Sequence, residues 1–539
     1  MEKRLYFILL ALFLFNYSAT EAQVKLSDDF TISTGRPYKV VDAKFKEYLG
    51  ISATRALSVK SRGEEVIVQL FDVEKVSEIS MKEYTDFPKY SKMVKLLKVD
   101  GRVYYIFEAY NKKEKTFSVY SREIDVTNGT FNSAEKLFTT KMPAVNTKSV
   151  FAGGGMILGG APSLYVPKKF EVFTSFDESK VLIRYRNKPL SKKDAENYDR
   201  LGFYVFDSSM KKLWGSDVKM PYTEKEMNNL AYTVTKNGEA CMLAYLNNSK
   251  EFELIKISSD GKPVQLKLDI NGELVFQEFY VNEDKDGNLN FAGYYANGLD
   301  YKFWSSSMSF NTNGIYQFTT DLNGKVLAAN DYEFSKEFID LYASERQKKK
   351  NAKREAGGKA GIPDVKLLSF AINSDGGATF VGEQRWVAKE QYGMSQETVF
   401  HFAHAIVTRV ASDGTLLWHA KIPKDQAGIR GKGGMGIKYM PSESSDYILF
   451  LDNNKNADID FDTPPAKHKD GMGGILTAVK INNTSGKTER HTVLDPKNVR
   501  GVELFQFKPY RIFNVASNSF VLEAYLKGKH DGIIKLEIK

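Results

Sequence analysis

A short unit recurs along this chain: a tight turn, then an apolar strand that closes on aromatic residues. It stands as Arg62-Gly63 before EEVIVQLF, Asp100-Gly101 before RVYYIFEAY, Glu178-Ser179 before KVLIRY and Asn237-Gly238 before EACMLAYL. It returns as Asp286-Gly287 before NLNFAGYY, Asp375-Gly376 before GATFVGEQRW, Ser444-Ser445 before DYILFL and Ser517-Asn518 before SFVLEAYL. Runs of Val, Ile, Phe and Tyr between Gly, Asp, Asn and Ser turns read as short antiparallel strands. A second hairpin follows most of these units, in FYVFDSSMKKLW (203–214), LIKISSDGKPVQLKL (254–268), IYQFTTDLNGKVLAA (315–329), IVTRVASDGTLLWHAKI (406–422) and LTAVKINNTSGKTERHTVL (476–494). Its turn residues supply the local hydrogen bonds or the positive φ that a tight hairpin needs.

Two hairpins per repeat make a four-stranded sheet with two apolar faces, which no single sheet can bury alone. Packing successive sheets around an axis covers both faces, so the expected fold is all-β: a single β-propeller of four-stranded blades spanning 23–539. The turns count eight blades, with seven as the alternative, because the interval from Gly63 to Gly101 is short for four strands. The chain ends in GIIKLEIK (532–539), one hairpin short of a full unit, and PYKVVDAKF (37–45) is expected to supply the missing strand and close the ring. A composition of 42% hydrophobic and 13% aromatic residues suffices for so large a core and excludes wholesale disorder.

The hairpins TTDLNGKVL, SSDGKPVQL, FDSSMKKLW (ending at Trp214) and ASDGTLLW (ending at Trp418) resemble the third and fourth strands of quinoprotein-like propellers. The resemblance implies the fold and not dehydrogenase chemistry: only two of the five hairpins carry the tryptophan, and with one cysteine, Cys241, no paired cysteines support a quinone. Cys241 lies in an apolar strand and reads as a buried structural thiol.

Residues 1–22 read as a signal peptide. Lys3 and Arg4 precede an apolar run from Leu5 to Phe15, and Thr20-Glu21-Ala22 offers a cleavage site. The run is too short for a transmembrane helix, which takes about 20 residues, and no later stretch is long and apolar enough. The signal ending in Ala-Gln and the Lys-, Tyr- and Asn-rich remainder look like an exported envelope protein of a Bacteroidetes-type bacterium. The expected location is therefore the periplasm or the cell surface.

Connections within hairpins are short, whereas those from second to third strands and from one blade to the next are long. Both long types emerge on the same end of a propeller, so 139–168, 187–201, 295–314, 330–365, 387–400, 423–438 and 452–474 are expected to crowd one face. Long loops on a rigid scaffold are where binding sits. The stretch 335–361 is read as a basic helical insertion carrying Arg346, Lys348, Lys349, Lys350, Lys353 and Arg354. Either it meets an acidic envelope protein or glycan, or a membrane surface peripherally, or it is a solvated helix. Nucleic acid is not expected, because no stacking aromatics surround the charges. Trp304, Trp386 and Tyr392 are the aromatic anchors expected on the same face. Three Gly-Met loops (153–160, 431–436 and 471–474) lack the ending of a phosphate loop.

Asp452, Asn454, Asn456 and Asp458 alternate as calcium ligands do, but Gly is missing at the sixth position and Glu at the twelfth, so a solvated acidic loop competes with calcium. No other cofactor is expected. His401 and His404 lie three apart on a strand and cannot share a metal. Zincin and nucleophile-elbow motifs are absent. The reading that follows is an exported, non-enzymatic propeller that binds protein or glycan as an envelope scaffold. The alternative is a glycan-active hydrolase or lyase working in the axial funnel.

Overall fold

The computed structural model describes residues 27–43, 45–141, 143–144, 169–270, 273–276, 279–297, 300–302, 307–392, 395–429, 435–469, 473–495, 504–506, 511–526 and 529–539. The segment read as a signal peptide lies outside them. Among these residues eight sheets of four to six strands, each built around an antiparallel set of four strand positions, follow one another along the chain. They occupy 45–84, 91–141, 170–223, 227–268, 280–333, 365–422, 438–494 and, with a strand borrowed from the other end of the chain, 512–538 plus 30–34.

Eight apolar clusters join these sheets pairwise. Leu57, Val68, Tyr105 and Phe107 bridge the first two. The series continues sheet by sheet to Leu449, Leu476, Phe520 and Leu522 between the seventh and eighth. Ala56, Phe71, Phe513, Val521 and Ile533 then join the eighth back to the first. A ring in which every sheet packs on both neighbours and the last meets the first is a closed β-propeller, with eight blades.

First strands of neighbouring blades touch, as Phe45–Ser52 and Ile512–Ala516 do, and so line the axis. Second strands are covered on both faces and read as unbroken buried runs, as in Leu289–Ala296. Fourth strands form the rim and alternate, as in Ser77–Tyr84.

Ring closure departs from expectation. Phe30–Thr34, not 37–45, is the closing strand, with Phe30 opposite Ile538 and Thr34 opposite Ile534. Phe30 enters the core between the last two blades, which anchors that register. Of 37–45, only Tyr38–Lys39 pairs with the final strand, and Phe45 already opens blade 1. The short first interval has a related cause. Seven of the eight expected turns join first to second strands, but Arg62-Gly63 joins the second to the third, one strand further along, which shortens the interval to Gly101. All five expected second hairpins join third to fourth strands.

The two motif tryptophans act between blades. The Trp214 indole N–H donates to the Gly238 carbonyl of the next blade at 2.8 Å, and Trp418 donates to Asn483 at 3.1 Å. Gly486 has φ of 68° and faces Trp418 so closely that a Cβ there would lie 2.6 Å from the ring. Cys241 is buried, and burial pushes its thiol pKa up.

Candidate functional site

Every long insertion that the structure describes leaves the ring at one end, between second and third strands or between blades. Three of them are not loose loops. The hairpin Ala378–Tyr392/Ser395–Val410 runs well past its blade. Phe400–Phe402 pairs with Gln426–Gly428, and Gln426–Ala427 pairs in parallel with His468–Lys469. Insertions from two blades thus knit into a second layer above the ring.

On this layer Trp386 lies flat on His401, with ring centroids 4.7 Å apart and planes 1° from parallel. The His401 Nε2 is 2.8 Å from Glu390. His404, beyond a register shift in the same strand, meets the Tyr342 ring at 5.3 Å. Tyr392 ends the first strand of the hairpin, and Trp304 lies outside the described residues.

The basic insertion forms two helices, Lys336–Asp340 and Glu345–Glu355. Ser335 and Ser344 cap them, accepting from Phe338 N–H and Gln347 N–H. Tyr342, at φ of 60°, breaks the chain between them. The insertion is firmly mounted. Ile339 enters the core between blades 5 and 6. Asn351, buried, donates to Asp340 at 2.7 Å. Asn313 donates to the Gly358 and Ala360 carbonyls that follow the helix. Beneath the first helix, the buried Lys421 ammonium donates to the carbonyls of Ile339 and Leu341 at 3.2 and 2.6 Å, supplying partners that the helix end lacks. Burial, partly offset by Asp340, lowers the Lys421 pKa to about 7.

Of the six basic candidates, Arg346, Lys349, Lys350 and Lys353 share the exposed face of the second helix, opposite the buried Asn351. Their spacing of three and four residues places like charges side by side, and each such pair costs a helix about 0.2–0.5 kcal/mol. Lys348 turns away to Glu345 at 3.1 Å, while Glu355 at the far end takes Lys336 at 2.7 Å. Arg354 lies in the last turn.

The acidic loop is closed on itself. Asp452 is buried against Arg490 at 2.8 Å and accepts from the Asn456 side chain, whose own oxygen accepts from Ala466 N–H. Asn454 opens a 3₁₀ turn that ends at Asn456, and Asp458 follows it. No group of three or more His, Cys, Asp or Glu residues that could hold a metal occurs among the described residues. Of the Gly-Met loops, 153–160 lies outside the described residues. In the other two, Gly436 and Gly474 adopt φ of 96° and 104°, and a Cβ on Gly474 would lie 2.4 Å from the Asp452 carbonyl oxygen, so backbone closure accounts for that glycine.

The sequence reading missed a set of buried charges where second strands approach the insert-bearing end. At the ring seam Glu523 receives Lys60 at 2.5 Å, Tyr38 at 2.8 Å and Tyr48, with Arg511 at 3.4 Å. Asp531 lies beside it, 3.6 Å from Lys46 and 3.7 Å from Lys60. Lys60, Glu523 and Asp531 are 0% exposed. Burial raises the carboxyl pKa of Glu523, but Lys60, Arg511 and Lys46 outweigh it and hold it well below the usual range. Burial and the neighbouring Glu523 charge push Asp531 up. Elsewhere Arg186 joins Asp199 and Glu224 at 2.6 and 2.8 Å, and Glu383 takes Lys424 at 2.7 Å. The signal was present: a charged residue interrupts the apolar run in FEAY, RYR, VGEQR and VLEAY.

No known protein family's profile matches the chain, and no curated protein is significantly similar to it. Among solved structures, the polysaccharide lyase Uly1 aligns over 92% of this chain and 100% of its own, at 8% identity and a TM-score of 0.35. The β-propeller domain of the Trilobed protease from Pyrococcus furiosus aligns over 88% of this chain and 97% of its own, at 10% identity and 0.31. The WD40 domain of SCAP from fission yeast aligns over 96% and 98%, at 7% identity and 0.36. Such distant likenesses carry no chemistry across, and the fold assignment rests on the closed ring itself.

Proposed function

We propose that this protein is an exported, non-enzymatic β-propeller that serves the bacterial cell envelope, in the periplasm or at the cell surface, as a scaffold binding a protein or glycan partner. The observation that carries this reading is the basic helix. It stands on the insert-bearing face and is pinned through Ile339, Asn351 and Lys421 instead of hanging free. A rigid charged element binds without first being ordered, which removes a cost that a loose tail would bear. Its test is gentle co-purification of the tagged chain from its native envelope, beside a version with 343–361 replaced by a Gly-Ser link. A stoichiometric partner that disappears with the replacement is the expected result. Equal capture by both versions, or by neither, would overturn it.

A second reading, a glycan-active hydrolase or lyase at the axial end, is favoured by one observation. Glu523 and Asp531 form a carboxylate pair contacted by two tyrosines and three cations, a set able to exchange protons. Their complete burial speaks for a structural clasp instead. Turnover of envelope glycans by the intact chain would revive the enzyme.

A further inference from the structure

We propose that Lys60 and Asp531 join through an isopeptide bond that ties blade 1 to blade 8 and closes the ring covalently. The proposal concerns the seam and stands apart from the reading of the insert-bearing face. Lys60 Nζ lies 3.7 Å from Asp531 Oδ2 and 2.5 Å from Glu523 Oε1, and all three side chains are 0% exposed. Strand register assembles them. Lys60 stands opposite Lys46 in blade 1. In blade 8 Asp531 stands opposite Tyr525, so Glu523 is its diagonal neighbour on the same face. Tyr38 and Tyr48, which donate to Glu523, pack against the apolar cluster of the seam.

The three groups differ in ways that suit condensation. Neither carboxyl oxygen of Asp531 has a hydrogen bond, whereas Glu523 accepts from Lys60, Tyr38 and Tyr48. Burial and the Glu523 charge raise the Asp531 pKa, so Asp531 is the carboxyl that takes up a proton and becomes the electrophile. Glu523 stays ionised in contact with the ammonium and serves as its base. In water, solvation of a free ammonium and a free carboxylate opposes their condensation. Burial has already removed that solvation, and a neutral amide relieves the cost of holding the two charges in a dry site.

The step balances without an outside reagent. One ammonium proton passes to Glu523, and the freed Nζ attacks the carboxyl carbon of neutral Asp531. The N–C bond forms, the bond from that carbon to its hydroxyl breaks, and the hydroxyl leaves as water with a second nitrogen proton. The third stays on the amide, and nothing is oxidised or reduced. Arg511 and Lys46 favour the ionised form of Glu523, which then gives up the proton it took.

The test is mass spectrometry of the full chain, purified without heat or acid and then denatured. The natural chain is expected to weigh one water less than its sequence requires. Its tryptic digest should contain Ala56–Arg62, uncut after Lys60, joined to His530–Lys535 as one branched peptide. Asp531 precedes Gly532, and an imide closed between them would also lose one water, but the two peptides would then appear separately, which overturns the proposal. Full mass in the natural chain, or a branch through Lys46, overturns it as well. D531A and K60M should show full mass and melt at lower temperature than the natural chain, because a link across so long a loop constrains the unfolded state. E523Q, shown to be folded by circular dichroism, should lose the branched peptide, and complete linkage there would remove the role given to Glu523.

Discussion

Glu523 receives a lysine and two tyrosines, with an arginine close by, at the seam where the chain's two ends meet, and every one of those contacts crosses between residues far apart in sequence or comes from a turn beside the seam. Removing one member of a buried ion pair leaves the other desolvated and uncompensated, a loss of about 3–5 kcal/mol. Glu523→Gln is expected to destabilise the fold by that amount, read from denaturant midpoints at neutral pH. Because the folded-state pKa of Glu523 is depressed, the unfolded chain takes up its proton first as pH falls. This contribution is therefore complete above the ordinary value of 4.5 and lost progressively below it, so the variant should also lack that part of the acid sensitivity. At this scale the sequence was half legible. LEAY shows a charge inside an apolar strand, but its partners Lys60 and Lys46 lie more than four hundred residues away, and only the closed ring brings them within reach.

The basic insertion shows the same division between local and distant causes. Its helical character and its end at Gly357-Gly358 are written in local pattern, and the helix Glu345–Glu355 falls where the sequence places it. The break at Tyr342 and the mounting on Lys421 are not, because they depend on blade 6 lying underneath. Lys421 has a measurable consequence. Its pKa falls from 10.5 in the open chain to about 7 in the fold, so between those values the unfolded state holds the extra proton. By linkage, this group makes stability rise as pH climbs through that window, and below about 7 it adds no further dependence. Unfolding measured at about pH 6 and about pH 9 should show that gain in the natural chain and its loss in Lys421→Met. An equal gain in the variant would assign the pH dependence to another group. The hairpin Ala378–Tyr392/Ser395–Val410 makes a parallel case. The sequence predicts a loop over 387–400, but this stretch is strand, and two other insertions pair with it or its neighbour and extend the sheet.

For the whole molecule the decisive event is closure. Phe30–Thr34 supplies the rim strand of the last blade, so the ring is held shut by a few main-chain pairs and by Phe30 in the core between blades 7 and 8. A chain beginning at Gly35 should lose this strand, expose the edge of His530–Ile538, melt at lower temperature and self-associate through the open edge. An unchanged melting temperature and a monomeric elution would show that the strand is dispensable. The blade architecture and the face that carries the insertions were readable from sequence alone. Turn chemistry at residues such as Asp286-Gly287 and the strand periodicity are local properties, and repetition makes them additive evidence. The sequence likewise determined the basic helix, since its residue types stand in one contiguous stretch. Only the tertiary structure decided which N-terminal strand closes the ring and which charges meet at its seam. Those outcomes depend on segments from different blades arriving at one place, and burial and ion pairing take their values only once the ring is complete.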